Sequence, residues 1–172
     1  MHSAVYASPY IASRLNAPAW KEISVFAIDP ETGALCKCRF DYLSYDFEAI
    51  DVKKTQDARP DAFSKSITNY RYHVQAAFYS DVFFWCTGQQ LKSFEFLAIE
   101  EKAPHGKKMY KLGDESIMIG AETYRKNLNT YAECKHSGNW PAYECDHTEE
   151  IDLPYWAFNK FEEENGLEIT YD

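Results

Sequence analysis

The sequence has no run of about 18 apolar residues, the length a helix needs to cross a bilayer, so a helical membrane span is excluded. Its start lacks the basic-then-apolar order of a secretory signal, which argues against export and makes the cytoplasm the expected setting. Nor do its cysteines form an even set. Cys36, Cys38, Cys86, Cys134 and Cys145 are five, and without an export signal they do not read as a disulfide framework; reduced thiols are expected. Positive charge is in deficit. A net charge of −9 excludes a protein that coats nucleic acid with a basic surface, because this one repels phosphate on average. Any contact with DNA must therefore be local.

Internal repeats and dividing linkers are also absent, so the 172 residues read as one compact domain. Hydrophobic residues make up 45% and aromatic residues 16%, enough to offset the entropy of ordering the chain. We expect an N-terminal arm or short helix over residues 1–20 and a folded domain over 21–172.

Within that domain, Lys21 to Ile28 is rich in Ile, Val and Phe and runs into a turn, Asp29 to Gly33, which spells a hairpin. Ala34 to Leu43 alternates, placing Lys37, Arg39 and Asp41 on one face and Cys36, Cys38, Phe40 and Tyr42 on the other. The two early cysteines read as small core residues. Ala49 to Lys53 is a third strand, with Asp51 and Lys53 on one side. From Pro60 to Ser80, Phe63, Ile67, Tyr70, Val74, Ala77 and Phe78 recur at steps of three and four, the spacing of one buried face of a single helix. Phe94 to Glu100 and Lys108 to Leu112 read as two further strands. Asp114 is placed as the cap of a helix running to about Cys134, with Ile117, Ala121, Tyr124 and Leu128 facing inward and Gly138 beyond its end. A short acidic tail follows from Asp152. The fold class is α/β.

Chemistry concentrates in CRFDYL (Cys38 to Leu43) and AIDVKKT (Ala49 to Thr55). If the two strands lie side by side, alternation lets Asp41, Asp51 and Lys53 converge on one face. Two such carboxylates repel unless a cation lies between them, and hard oxygen ligands suit Mg²⁺ or Mn²⁺. A divalent ion there could polarise a phosphodiester oxygen and acidify a bound water, with Lys53 orienting that water or stabilising developing negative charge. Alone, an Asp and a Lys two apart on a strand are more often an exposed ion pair of small consequence.

Several separate stretches share one resemblance. DPETGALCKCRFDYL (Asp29 to Leu43), IDVKKTQDA (Ile50 to Ala58), NYRYHVQAAFYSD (Asn69 to Asp81), FLAIEEKAP (Phe96 to Pro104), YRKNLNTYAECKHSGNWPAY (Tyr124 to Tyr143) and LPYWA (Leu153 to Ala157) resemble, in order and spacing, the RecE-type exonucleases of the PD-(D/E)XK superfamily. That resemblance implies a central mixed β-sheet flanked by helices, with Asp41, Asp51 and the carbonyl of Val52 as metal ligands and Lys53 as the catalytic lysine. Gln75 and Tyr79 match the family's QxxxY element and, four apart on a helix, share a face. It further implies Mg²⁺- or Mn²⁺-dependent hydrolysis of linear double-stranded DNA from its ends, 5′ to 3′, in phage-type recombination. A ring-shaped homotetramer around DNA and a single-strand annealing recombinase as partner come with it.

The chain departs from the family in two places. Phe40 replaces the proline usual before the first Asp. An upstream helix commonly supplies a further metal-site histidine, whereas here His2 is the only histidine and Glu22 the only acid before the Asp29 turn. His73 reads as a packing or surface residue. Cys134, His136, Cys145 and His147 form two Cys-x-His pairs whose ligand types would suit zinc, against a spacing unlike the usual pairs. Most of the 13 tyrosines and 11 phenylalanines read as core, although some could stack on single-stranded DNA. The alternative function is a catalytically idle or truncated module that keeps the fold for DNA binding or interaction, distinguished by its indifference to metal and to loss of Asp51 or Lys53.

Overall fold

The computed structural model describes residues 1–143 and 145–166. Residues Met1–Asn139 form one compact unit and Trp140–Asp172 a second. The first unit is built on a mixed five-stranded sheet of order β1-β2-β3-β4-β5. Its strands are β1 (Ala19–Ile28), β2 (Leu35–Ser44), β3 (Glu48–Thr55), β4 (Ser93–Glu100) and β5 (Lys107–Lys111). All neighbours are antiparallel except β3 and β4, which pair in parallel. A parallel pair requires a crossover. Here it is made by α3 (Pro60–Asn69) and α4 (Tyr72–Thr87).

Helices cover both faces. On one, Ala76, Val82 and Phe83 of α4 pack with Phe40, Phe94, Phe96 and Ala98 of the strands. On the other, α1 (His2–Tyr6) and α2 (Pro9–Asn16) bring Val5 and Ile11 onto Tyr42, Ile50, Leu97 and Ile99. The expected arm is thus a pair of helices lying on the sheet. Pro9 at the first position of α2, with the Ser8 hydroxyl accepting from the Ile11 N–H, starts that helix. At its far end the Tyr42 hydroxyl meets the carbonyls of Arg14 and Ala17 at 2.6 and 2.9 Å, satisfying groups a helix end leaves open. Arg14 adds a two-pronged contact to Glu95 at 3.1 and 3.3 Å.

Tyr42 does not share a face with Cys36, Cys38 and Phe40, contrary to the simple alternation read from the sequence. Ile23, Val25, Cys36, Cys38 and Phe40 pack on the α4 side, whereas Ala19 and Tyr42 pack on the α2 side. The ladder between β1 and β2 skips the pair Glu22 and Asp41. Glu22 takes a left-handed φ of 54°, at a cost of roughly 1–2 kcal/mol for an L-residue, and the ribbon changes faces there. Cys36 and Cys38 are buried as expected, and burial pushes the Cys38 thiol up to about 12, so it stays protonated.

Three other sequence expectations change. The single helix over 60–80 is two, broken at Tyr70 and at Arg71, whose φ of 57° is left-handed. Asp114 does not cap α5 (Asp114–Ser137): Gly113 holds the cap position and Asp114 is the first helical residue, where its charge still favours the helix N-terminus. The tail from Asp152 contains α6 (Tyr155–Asn165), closed by Gly166 at a φ of 63°.

Helix α5 packs on α4 with Gly120 against its first turn. A Cβ at Gly120 would stand 2.3 Å from the His73 carbonyl oxygen, so only glycine allows this approach. Arg125, one and a half turns on, reaches the β1–β2 turn and contacts both oxygens of buried Asp29 at 2.9 Å. Burial pushes the Asp29 carboxyl up, but the Thr32 hydroxyl, the Thr32 N–H and Arg125 outweigh it and hold the group below its ordinary value.

Gly120→Ala should cost about 1–3 kcal/mol by overpacking, read as a lower urea midpoint, whereas Gly113→Ala, with open space around its Cβ, should stay within about 1 kcal/mol. Equal midpoints would show that the two helices do not approach at Gly120. Arg125→Met should lose about 3 kcal/mol at neutral pH. Because the native Asp29 pKa lies below its unfolded value, that stabilisation is present above the unfolded pKa and is lost as pH falls through the native one. Wild type and Arg125→Met should therefore converge in thermal midpoint below about pH 4.

Candidate active site

The antiparallel ladder of β2 and β3 contains only Tyr42↔Ile50 and Leu43↔Ala49. One further step in the same register would set Asp41 opposite Asp51, and there the ladder stops. In place of a backbone acceptor, the Val52 N–H donates to Asp41 Oδ2 at 2.8 Å. The two strands splay apart beyond this point, with β3 continuing on its parallel neighbour β4.

Asp51 is buried, on the α4 side of β3. Its Oδ1 accepts from Gln75 Nε2 at 2.6 Å, and Gln75 Oε1 in turn accepts from Lys53 Nζ at 2.8 Å. Lys53 Nζ lies 2.7 Å from Asp51 Oδ2, which closes a ring of three side chains. Apart from this ion pair, Oδ2 is a buried oxygen with no hydrogen-bond partner. Burial pushes the Asp51 carboxyl up from its ordinary value; Lys53 and Gln75 pull against this, and the charge of Asp41 reinforces it. The amide orientation of Gln75 follows from its neighbours, oxygen to the ammonium and nitrogen to the carboxylate.

Lys53 is also held from beneath, its Nζ 4.3 Å from the ring centre of Tyr72 and 5.9 Å from that of Phe96. Tyr79, one turn beyond Gln75 on α4, packs edge-on against Phe40 at 5.4 Å between ring centres. Burial raises its hydroxyl pKa, the Arg39 backbone and Gln75 beside it oppose the rise, and the charge of Asp51 adds to it. The structure thus joins Asp51, Lys53 and Gln75 in direct contact, with Tyr79 beside Gln75 and Asp41 on the neighbouring Val52 amide. Val52, half exposed, borders a groove of about 290 Å³ with Asp41, Glu22 and Tyr6.

One contributor escaped the sequence reading. Tyr72 stands three residues before Gln75, a helical spacing that marks it as a neighbour on the same face. Glu22, the upstream acid for which the sequence offers either a place near the metal or a solvated strand edge, faces the skipped position opposite Asp41, where it pairs with exposed Arg39 at 2.7 Å. His2 lies against Tyr6, its ring tilted by 31° with centres 4.5 Å apart. His73 turns its ring toward the Ile67 carbonyl at 3.4 Å and takes no part in the site. Among the described residues no group of three or more His, Cys, Asp or Glu is placed to hold a metal ion. His147 pairs with Asp146.

The fold is similar to that of solved proteins. The crystal structure of a Eubacterium rectale protein provisionally assigned as an exonuclease matches at a TM-score of 0.66 and 16% identity, over 92% of this chain and 62% of that one. At that identity the match shows the fold alone, and this chain spans less than two thirds of that relative. The structure of SSO0001 matches over 81% of this chain and 66% of its own at 17% identity, with a TM-score of 0.38 too low to argue from. No curated protein matches the sequence. The family model described as the PDDEXK-like domain of unknown function (DUF3799) matches residues 10–154, and the chain belongs to that family.

Proposed function

We propose that this chain is a divalent-metal-dependent deoxyribonuclease that hydrolyses phosphodiester bonds at the ends of linear double-stranded DNA. The observation that carries the reading is the closed contact of Asp51, Gln75 and Lys53 beside Asp41 at the point where two strands part. Such a ring fixes one buried carboxylate and one ammonium side by side on rigid elements, the arrangement that preorganised electrostatic catalysis requires.

The residues fit a hard divalent cation. Asp51 Oδ2 is a buried oxygen whose one polar contact is the Lys53 ammonium, and the Asp51 carboxyl feels the charge of Asp41, a repulsion that a cation between the two would relieve. Asp41, Asp51 and the Val52 carbonyl would hold Mg²⁺ or Mn²⁺, leaving the other positions to solvent and phosphate, as Mg²⁺ prefers. When bound, the ion supplies Lewis-acid polarisation of the phosphodiester and a more acidic water. The chain's own part is orientation. Gln75 fixes the Asp51 carboxylate and aims the Lys53 ammonium, Tyr72 supports that ammonium from below, and Lys53 stabilises the negative charge that grows on the reacting phosphate. Tyr79 keeps Gln75 in place.

The remaining parts of the proposal rest on the resemblance to RecE-type exonucleases: 5′ to 3′ polarity, a role in phage-type recombination, a ring-shaped homo-oligomer and a single-strand annealing partner. A cytoplasmic setting belongs to the same proposal.

The test is degradation of 5′-labelled linear duplex DNA with Mg²⁺ or Mn²⁺. Asp51→Ala and Lys53→Ala should each reduce the rate about 100-fold or more, and EDTA should abolish it. Cleavage that survives EDTA or Asp51→Ala would overturn the assigned site, and a chain that neither cleaves DNA nor binds Mn²⁺ by calorimetry is the idle module. Independently of activity, Mn²⁺ at about 100 times its dissociation constant should stabilise the wild type by about 2.7 kcal/mol. In differential scanning calorimetry this thermal shift should vanish in Asp51→Asn.

A further inference from the structure

A groove of about 530 Å³ opens beside the candidate active site, between the end of β3 and α3. Tyr72 belongs to both: it lines the groove and carries Lys53 4.3 Å above its ring. Tyr70, also on the lining, stacks on Tyr72 with ring centres 5.6 Å apart and planes inclined by 22°. It is nevertheless 69% exposed at the mouth of the groove. The cause is the helix break. Arg71 turns the chain through a left-handed conformation that only glycine adopts without strain, and by interrupting the helix it sets Tyr70 and Tyr72 ring to ring.

The polar lining is suited to a phosphodiester chain. Lys54 and Lys65 are exposed and have no ion-pair partner among the described residues. Arg59 is tied to Asp57 at 2.6 Å, a pair that cancels; Asp61 and Glu101 stand against Lys54 and Lys65, so the groove's net charge is even. Affinity for a strand must then come from stacking as much as from charge. A base can add to the Tyr72–Tyr70 stack only by offering a bare face, and inside a duplex both faces of a base are already covered by its neighbours.

We infer that this groove is a subsite for unpaired nucleotides, with Tyr70 as the platform for a base of the strand that enters the site and Lys54 and Lys65 as contacts to the backbone of that strand. The inference rests on the nuclease reading for its location and deepens it: the subsite takes a base whose face is bare, at a frayed or single-stranded end, and not one inside paired duplex. Stacking on Tyr70 would hold such a base two rings away from Lys53, beyond Tyr72.

The experiment measures fluorescence anisotropy of a short fluorescein-labelled thymidine oligonucleotide and of a blunt duplex of equal length, with Ca²⁺ replacing Mg²⁺ so that binding is read without cleavage. Wild type should bind the single strand more tightly than the duplex. Tyr70→Ala should weaken single-strand binding by about 5- to 100-fold, the loss of one base–aromatic stack, whereas Tyr70→Phe should retain it and Lys65→Ser should reduce its salt dependence. Single-strand binding that is unchanged in Tyr70→Ala, or a wild type that prefers blunt duplex, overturns the subsite. Cleavage of labelled duplex by the same preparations separates the two claims. A protein that cleaves but ignores Tyr70→Ala keeps the nuclease reading and loses this one, and a protein that does not cleave but still loses single-strand binding with Tyr70→Ala does the reverse.

Discussion

The parting of β2 from β3 is the constraint on which the site depends. Two carboxylates directly opposite on an antiparallel pair would lie within about 5.5 Å and repel each other. The ladder ends where that pair would form, and Asp41 instead uses one oxygen to accept the Val52 N–H. Strand β3 loses no hydrogen bond there, because a side chain has replaced the missing strand. Asp51 meanwhile stays buried in the ladder with β4, where its neighbours on α4 can reach it.

Each of those neighbours is fixed by something further away. Gln75 and Tyr79 are aimed by α4, and α4 is held from behind by α5 at the glycine contact of Gly120 with His73. Helix α5 is in turn tied to the β1–β2 turn through Arg125 and buried Asp29. That turn begins the strand that carries Asp41. The chain of contacts therefore runs in a loop through both carboxylates' supports, and a shift of α5 would move Gln75 relative to Asp51. On the opposite face, α1 and α2 complete the burial of β3 and β4, so the strand carrying Asp51 is covered on both sides.

Much of this was legible in the sequence, for a physical reason. Alternation along short strands placed Asp51 and Lys53 together, and a four-residue helical step placed Gln75 with Tyr79; both are local geometries that need no tertiary knowledge. What was not legible depends on contacts distant in sequence. The apolar period from Phe63 to Phe78 continues through the break at Tyr70 and Arg71, so periodicity could not reveal it. No glycine or proline marks the face change at Glu22 and Asp41, because there a left-handed glutamate does what a glycine usually does. Asp29 read only as a turn former, since its partner Arg125 lies 96 residues away.

The acidic balance of the chain also follows from this arrangement on the proposed reading. A polyanionic substrate is not drawn by a surface of charge −9, so long-range attraction contributes little to the encounter. What remains is short-range: a cation held by carboxylates, an ammonium fixed over an aromatic ring, and exposed lysines beside a bare tyrosine. Interactions of this kind act within a few ångströms and discriminate by geometry. A protein built so would hold duplex DNA loosely along its length and gain its affinity at an end, where phosphates and unpaired bases can enter the site together.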